Sequence, residues 1–83
     1  MKLLYFAWVR QRVGRSEEEL SVPAGITTVA SLVDYLRRQG PGYEAAFERP
    51  ELLRCAVNQE HARFDAHIGP NDEVAFFPPV TGG

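Results

Sequence analysis

The sequence predicts an α+β fold, a mixed β-sheet with one main helix across one face. Three observations carry the prediction. The two richest apolar runs, "KLLYFAWVR" and "EVAFFPP", stand at opposite ends of the chain. One long amphipathic pattern, "TTVASLVDYLRRQG", lies between them. No second long helix is present, so only one face of the sheet can be covered.

Residues 2–10 are aromatic and aliphatic with no breaker, and read as a strand rich enough to lie centrally. "GRSEE" reads as a turn, and "EELSV" (18–22) as a more exposed strand that Pro23 ends, completing a hairpin. In the helix, Val29, Leu32, Val33 and Leu36 fall at i, i+3, i+4 and i+7, a single apolar stripe. Thr28 or Thr27 caps its start, Arg37 and Arg38 suit its negative end, and Gly40 with Pro41 stops it. "GYEAAFER" predicts a short second helix that packs Tyr43 and Phe47, and "LLRCAVN" (52–58) a third strand. "EHARFDAHI" is irregular with room for a small strand, and "GPND" turns into the last strand. First and last strands, both central, must run parallel with a helical crossover between them, an α+β roll of the β-grasp kind.

With 83 residues the chain forms one domain, 1–83, whose folding buries about 60–65% of the unfolded surface, enough for a single modest core. The formal charge of −2 gives no electrostatic footprint for nucleic acid or an anionic membrane. No apolar run approaches the roughly 20 residues of a membrane span. The start is not a signal peptide, because Arg10 and Arg12 interrupt it and no small-residue cleavage site follows. A cytoplasmic protein is expected.

Alternation assigns the faces of the sheet. Lys2, Leu4, Phe6, Trp8 and Arg10 point outward from the first strand, and Leu3, Tyr5, Ala7 and Val9 inward. Arg54, Ala56 and Asn58 point outward from the third strand, with Leu53, Cys55 and Val57 inward. In the last strand Glu73, Ala75 and Phe77 point outward, with Val74 and Phe76 inward. The outer face therefore gathers Leu4, Phe6, Trp8 and Phe77. An apolar patch of that size marks a partner surface. The competing reading is that loops 41–50 or 60–68 fold over it.

Self-sufficient catalysis has no support in the sequence. Cys55, the one cysteine, excludes a disulfide framework and reads as a small buried hydrophobe. His61 and His67 with Asp65 form no specific metal pattern, and no metal is expected. Glu17 to Glu19 read as a charged edge that discourages pairing with other chains. "RQRVGR" reads as a solvated turn.

The final stretch, "FFPPVTGG", is unusual. Pro78 and Pro79 lack backbone donors and fix φ near about −65°, so the strand leaves the sheet as an extended stem. From Pro79 onward the last five residues span at most about 17 Å. Gly82 and Gly83 lack Cβ atoms, so this flexible tail, 80–83, fits a channel too narrow for side chains. Alone, two closing glycines are an accidental loose end. Behind a rigid proline pair and an apolar strand they make a stalk that delivers a carboxylate to another active site.

"LYFAWVRQRVG", "TVASLVDYL", "AVNQE" and above all "NDEVAFFPPVTGG" resemble the ubiquitin-like sulfur-carrier family of molybdopterin synthase small subunits, over most of the chain. Gln11 departs from a common glutamate, and His61 from an aliphatic position in the partner patch. The resemblance implies that a ubiquitin-activating-like adenylyltransferase uses ATP to adenylate Gly83. A sulfur donor then converts Gly83 to a thiocarboxylate. The large synthase subunit would supply the catalytic pocket in which that sulfur attacks a cyclic pyranopterin precursor. Gly82, Thr81, Val80, Pro79 and Pro78 would thread partner sites, while Phe77, Phe6, Leu4, Trp8, Arg10 and His61 would dock them. No cofactor would be held permanently. The same chemistry fits carriers for thiazole, cysteine or tRNA thiolation, and a ubiquitin-like modifier. A plain interaction module docking by "FPP" is the reading from another class.

Overall fold

The computed structural model describes residues 1–79; expectations for Val80, Thr81, Gly82 and Gly83 lie outside the described residues. The elements are β1 (Lys2–Tyr5), α1 (Ala7–Val13), β2 (Glu17–Glu19), α2 (Val29–Arg37), α3 (Pro41–Phe47), a 3-10 turn (Pro50–Leu52), β3 (Arg54–Val57), β4 (Glu60–Ala62) and β5 (Glu73–Phe77). The five strands form one sheet in the order β2-β1-β5-β3-β4. At its centre β1 and β5 run parallel, with Leu3 opposite Val74 and Tyr5 opposite Phe76. The other pairs are antiparallel.

The inward positions form the core. Leu3, Tyr5, Cys55, Val74 and Phe76 are buried together with Val29, Leu32, Leu36 and Phe47 of the helices. Phe47 stands edge-on to Phe76 at 5.0 Å and to Tyr5 at 6.4 Å between ring centroids. Each such side chain contributes about 1.5–3 kcal/mol on leaving water. The main helix starts where expected. The Thr28 side chain accepts the Ser31 N–H at 3.2 Å, and Ser31 Oγ accepts the Thr28 N–H at 3.0 Å, a reciprocal capping box. It ends at Arg37, and Gly40 with Pro41 opens α3 rather than closing α2.

The first run is not one strand over 2–10. Phe6 is still extended and donates its N–H to the Phe76 carbonyl at 3.1 Å, but Ala7 at φ +52° turns the chain out of the sheet into α1. Helix wins here because i, i+4 pairing suits these side chains. Val9 is buried and Val13 packs against the core, while on another side the Arg12 guanidinium stands 4.5 Å above the Trp8 ring. Gly14, at φ +93°, caps the end by donating its N–H to the Arg10 carbonyl at 2.8 Å. Trp8 and Arg10 are therefore helical residues and not outward strand positions. Ala7 and Val9 likewise leave the inward set of the strand, and Val9 reaches the core from the helix. α3 lies so close to α1 that a Cβ on Gly42 would stand 2.5 Å from the Arg12 carbonyl oxygen.

Two further expectations change. β1 and β2 pair antiparallel, but α1 joins them in place of a tight turn, and β2 covers Glu17–Glu19 rather than 18–22. Within it Glu17 and Glu19 are exposed, as a charged edge requires, yet the Glu18 side chain is only 7% exposed. Its Oε2 accepts from the hydroxyls of Tyr5 and Tyr43, both at 2.7 Å, and its Oε1 from Arg15 at 3.1 Å. A carboxylate leaves water only when its acceptor capacity is met in this way.

Candidate functional site

Strand registry builds the uncovered face. Across the sheet run Glu17, Leu4, Ala75, Ala56 and His61, each opposite the next, and one step along Phe77 stands opposite Arg54. The middle of this surface is apolar and its rim polar. Phe6, at the end of β1, is 47% exposed. Phe77 and Leu4 are half-buried, and His61 is exposed. The His61 ring stands edge-on to Phe77, with centroids 5.5 Å apart and planes at 88°.

Neither 41–50 nor 60–68 folds over this face. The first segment forms α3, which packs on α1 and α2 and sends Phe47 into the core on the other side. In the second, Phe64 packs near the inward Phe76, and the carbonyls of Phe64 and Ala66 accept from Ala30 and Val29 at the start of α2. Leu4, Phe6, Phe77 and His61 are thus brought together. Trp8 is not among them; it sits on α1 beside Arg12, Leu52, Pro78 and Pro79. Arg10 is exposed on the same helix.

At the end of β5 the prolines follow directly, Pro78 half-buried and Pro79 exposed, so the stem leaves from the corner where Phe6 and Phe77 meet. The strand is held at its other end by Asn58. That residue sits with Gln59 in a turn where both have positive φ, accepts the Glu73 N–H at 3.0 Å, and donates to Asp72 at 3.0 Å. The Asn58 bond and the Gly69 N–H hold the Asp72 carboxyl below its usual range. These contacts fix where β5 begins and hence where Phe77 and Pro78 emerge.

Cys55 is buried, donates its thiol to the Ala62 carbonyl at 3.3 Å, and has its thiol pushed upward by burial. A thiol in that state is a poor nucleophile. His61 lies on β4 and His67 bridges to Thr28; among the described residues no group of three or more His, Cys, Asp or Glu is placed to hold a metal ion. None of the helices described is long and apolar enough to cross a membrane.

With this geometry in place, comparison with known proteins decides the family. The ThiS family model matches residues 3–83. The chain belongs to the ThiS family. Within it the chain is similar to the molybdopterin synthase sulfur carrier subunit of Escherichia coli, at 45% identity over all of this chain and 99% of that one. The subunit of that name from Mycobacterium tuberculosis is 38% identical over 100% and 96% of the two chains. Among solved structures, SAMP1 of Haloferax volcanii, a small archaeal modifier protein, superposes with a TM-score of 0.73 at 27% identity over 100% and 98% of the chains. The chain therefore has the β-grasp, ubiquitin-like architecture expected from its sequence.

Proposed function

We propose that the chain is the sulfur carrier of a molybdopterin synthase in the cytoplasm. Its Gly83 carries sulfur, and the catalytic pocket belongs to a large subunit. The observation that carries this reading is the 45% identity to a molybdopterin synthase sulfur carrier subunit over the full length of this chain. The outer face supports it, because an apolar centre beside the tail stem suits a protein that presents its end to others.

A carboxylate is a poor electrophile. An adenylating partner would therefore join it to AMP from ATP, releasing pyrophosphate. The terminal sulfur of a persulfide donor then attacks the acyl carbon and displaces AMP. A thiol next cleaves the S–S bond of the acyl disulfide, leaving the thiocarboxylate on Gly83. In the large subunit this sulfur is the nucleophile toward the pyranopterin precursor. The carrier needs no permanently bound cofactor in this cycle.

The test is the intact mass of the chain after incubation with ATP, the activating enzyme and a sulfur donor. A gain of about 16 Da at Gly83, sulfur in place of oxygen, is expected. An unchanged mass under conditions that load an authentic carrier overturns the reading. A second reading, a ubiquitin-like modifier, is favoured by the likeness to the archaeal modifier protein. It predicts ladders of lysine conjugates on immunoblots.

A further inference from the structure

The corner to which α1 carries Trp8 is a site of its own. Trp8, Arg12, Leu52, Pro78 and Pro79 line an open groove of about 520 Å³ at the foot of the tail stem. Its walls are apolar. Leu52 is 43% exposed, and together with Phe6 it is one of the two large hydrophobic side chains most open to solvent among the described residues. Phe6 belongs to the outer face and Leu52 to the groove.

Charge distinguishes this corner as well. Lys2, Arg15, Arg37, Arg49 and Arg63 each have a carboxylate within 4.0 Å. Among the described residues Arg10, Arg12, Arg38 and Arg54 have none, although acidic side chains outnumber basic ones. Arg38 closes α2, whereas the other three sit at the end of the sheet where β5 leaves. Arg10 and Arg12 are on α1, which follows the parallel neighbour of β5, and Arg54 lies opposite Phe77. Arg12 is held in place, its guanidinium over Trp8 and its Nη1 donating to the Ala45 carbonyl at 3.2 Å. Among the described residues its remaining N–H donors meet no acceptor, and they form a planar array matched to a carboxylate.

We propose that the partner that accepts the tail lays an acidic–apolar segment into this groove. An apolar side chain sits among Trp8, Leu52 and the two prolines, and a neighbouring carboxylate bridges to Arg12, with Arg54 drawing the same acidic surface from across β5. The inference rests on the carrier reading, and continuity supports it. Pro78 and Pro79 form one wall of the groove and also leave the corner of the outer face, so a protein that encloses the stem meets both surfaces.

The experiment is calorimetric titration of the full chain with the purified cognate large subunit at low and high salt. Each variant's melting curve is checked first. Arg12→Glu and Arg54→Glu are expected to weaken binding about tenfold at low salt, with the loss shrinking at high salt. Trp8→Ala is expected to weaken it at both. If all three bind like the parent while Phe77→Asp does not, the groove proposal is overturned and the carrier reading stands. If the parent itself fails to bind, both fall. Sedimentation showing a dimer of this chain that Arg12→Glu splits would make a second copy the occupant and overturn the proposal.

Discussion

The imidazole of His61 stands edge-on to the ring of Phe77, two strands away, at 5.5 Å between centroids. The contact braces Phe77 on the outer face without burying it. Phe77→Asp places a charge in the apolar patch beside the tail stem, so affinity for the large subunit and for the activating enzyme should each fall at least about tenfold. Because Phe77 points away from the core, the far-UV spectrum should be unchanged. Equal binding by parent and variant would remove Phe77 from the interface.

Deleting Gly82 and Gly83 should abolish sulfur loading while leaving large-subunit docking measurable through the outer face. Gly83→Ala should slow adenylation, because one methyl must enter a channel matched to none. Pyrophosphate release in the presence of the activating enzyme reports the step. Normal release from the alanine variant would contradict a glycine-only channel.

Glu18→Ala strips the hydroxyls of Tyr5 and Tyr43 of their shared acceptor, and should lower unfolding free energy by about 2–4 kcal/mol in urea titrations. The same cluster predicts alkaline sensitivity. Burial first, and then the bond to Glu18, push the Tyr5 hydroxyl far above its usual range, and those causes act in the same order on Tyr43. A phenol harder to ionise in the folded than in the unfolded chain contributes stability that is complete below pH about 10 and declines as pH rises past it. The urea midpoint should therefore drop above that pH, and Tyr5→Phe should make the decline shallower. An identical slope in the variant would exclude Tyr5 as its source.

Thr28→Ala removes the hydroxyl half of the capping box and should cost about 1 kcal/mol. Gly42→Ala should cost about 1–3 kcal/mol, because the methyl meets the Arg12 carbonyl and pushes α3 from α1. Thermal melts separate the two: a Gly42→Ala melt equal to the parent would show that α1 yields freely.

The parts legible in the sequence were those fixed by neighbours in the chain. Thr28 and the stripe Val29, Leu32, Val33, Leu36 announce α2, and the proline pair announces the end of β5. The parallel centre followed from two unusually apolar runs. The residues "FAWVRQRV" misled because Leu4, Phe6 and Trp8 alternate as in a strand, while the pairs Val9 with Val13 and Trp8 with Arg12, closed by Gly14, carry an equally good helical signal. Packing of Val9 and Val13 on the core and of Arg12 over Trp8, together with contact with α3, decided between them. On the outer face, Leu4, Phe6, Phe77 and His61 were recoverable from alternation and the resemblance; the groove was not, since it depends on α1 carrying Trp8 to the prolines. The role of Glu18 was beyond reach of local pattern, because its partner Tyr43 lies 25 residues along.

The central pairing of β1 with β5 has a consequence for synthesis. A growing polypeptide that has made Leu3 must wait for Val74 before the middle of its sheet can close. Any product cut short before the last strand keeps a gap where its hydrophobic interior should be and is open to proteolysis. Ribosomal truncation thus yields debris rather than a well-folded decoy that could dock a partner with nothing to deliver.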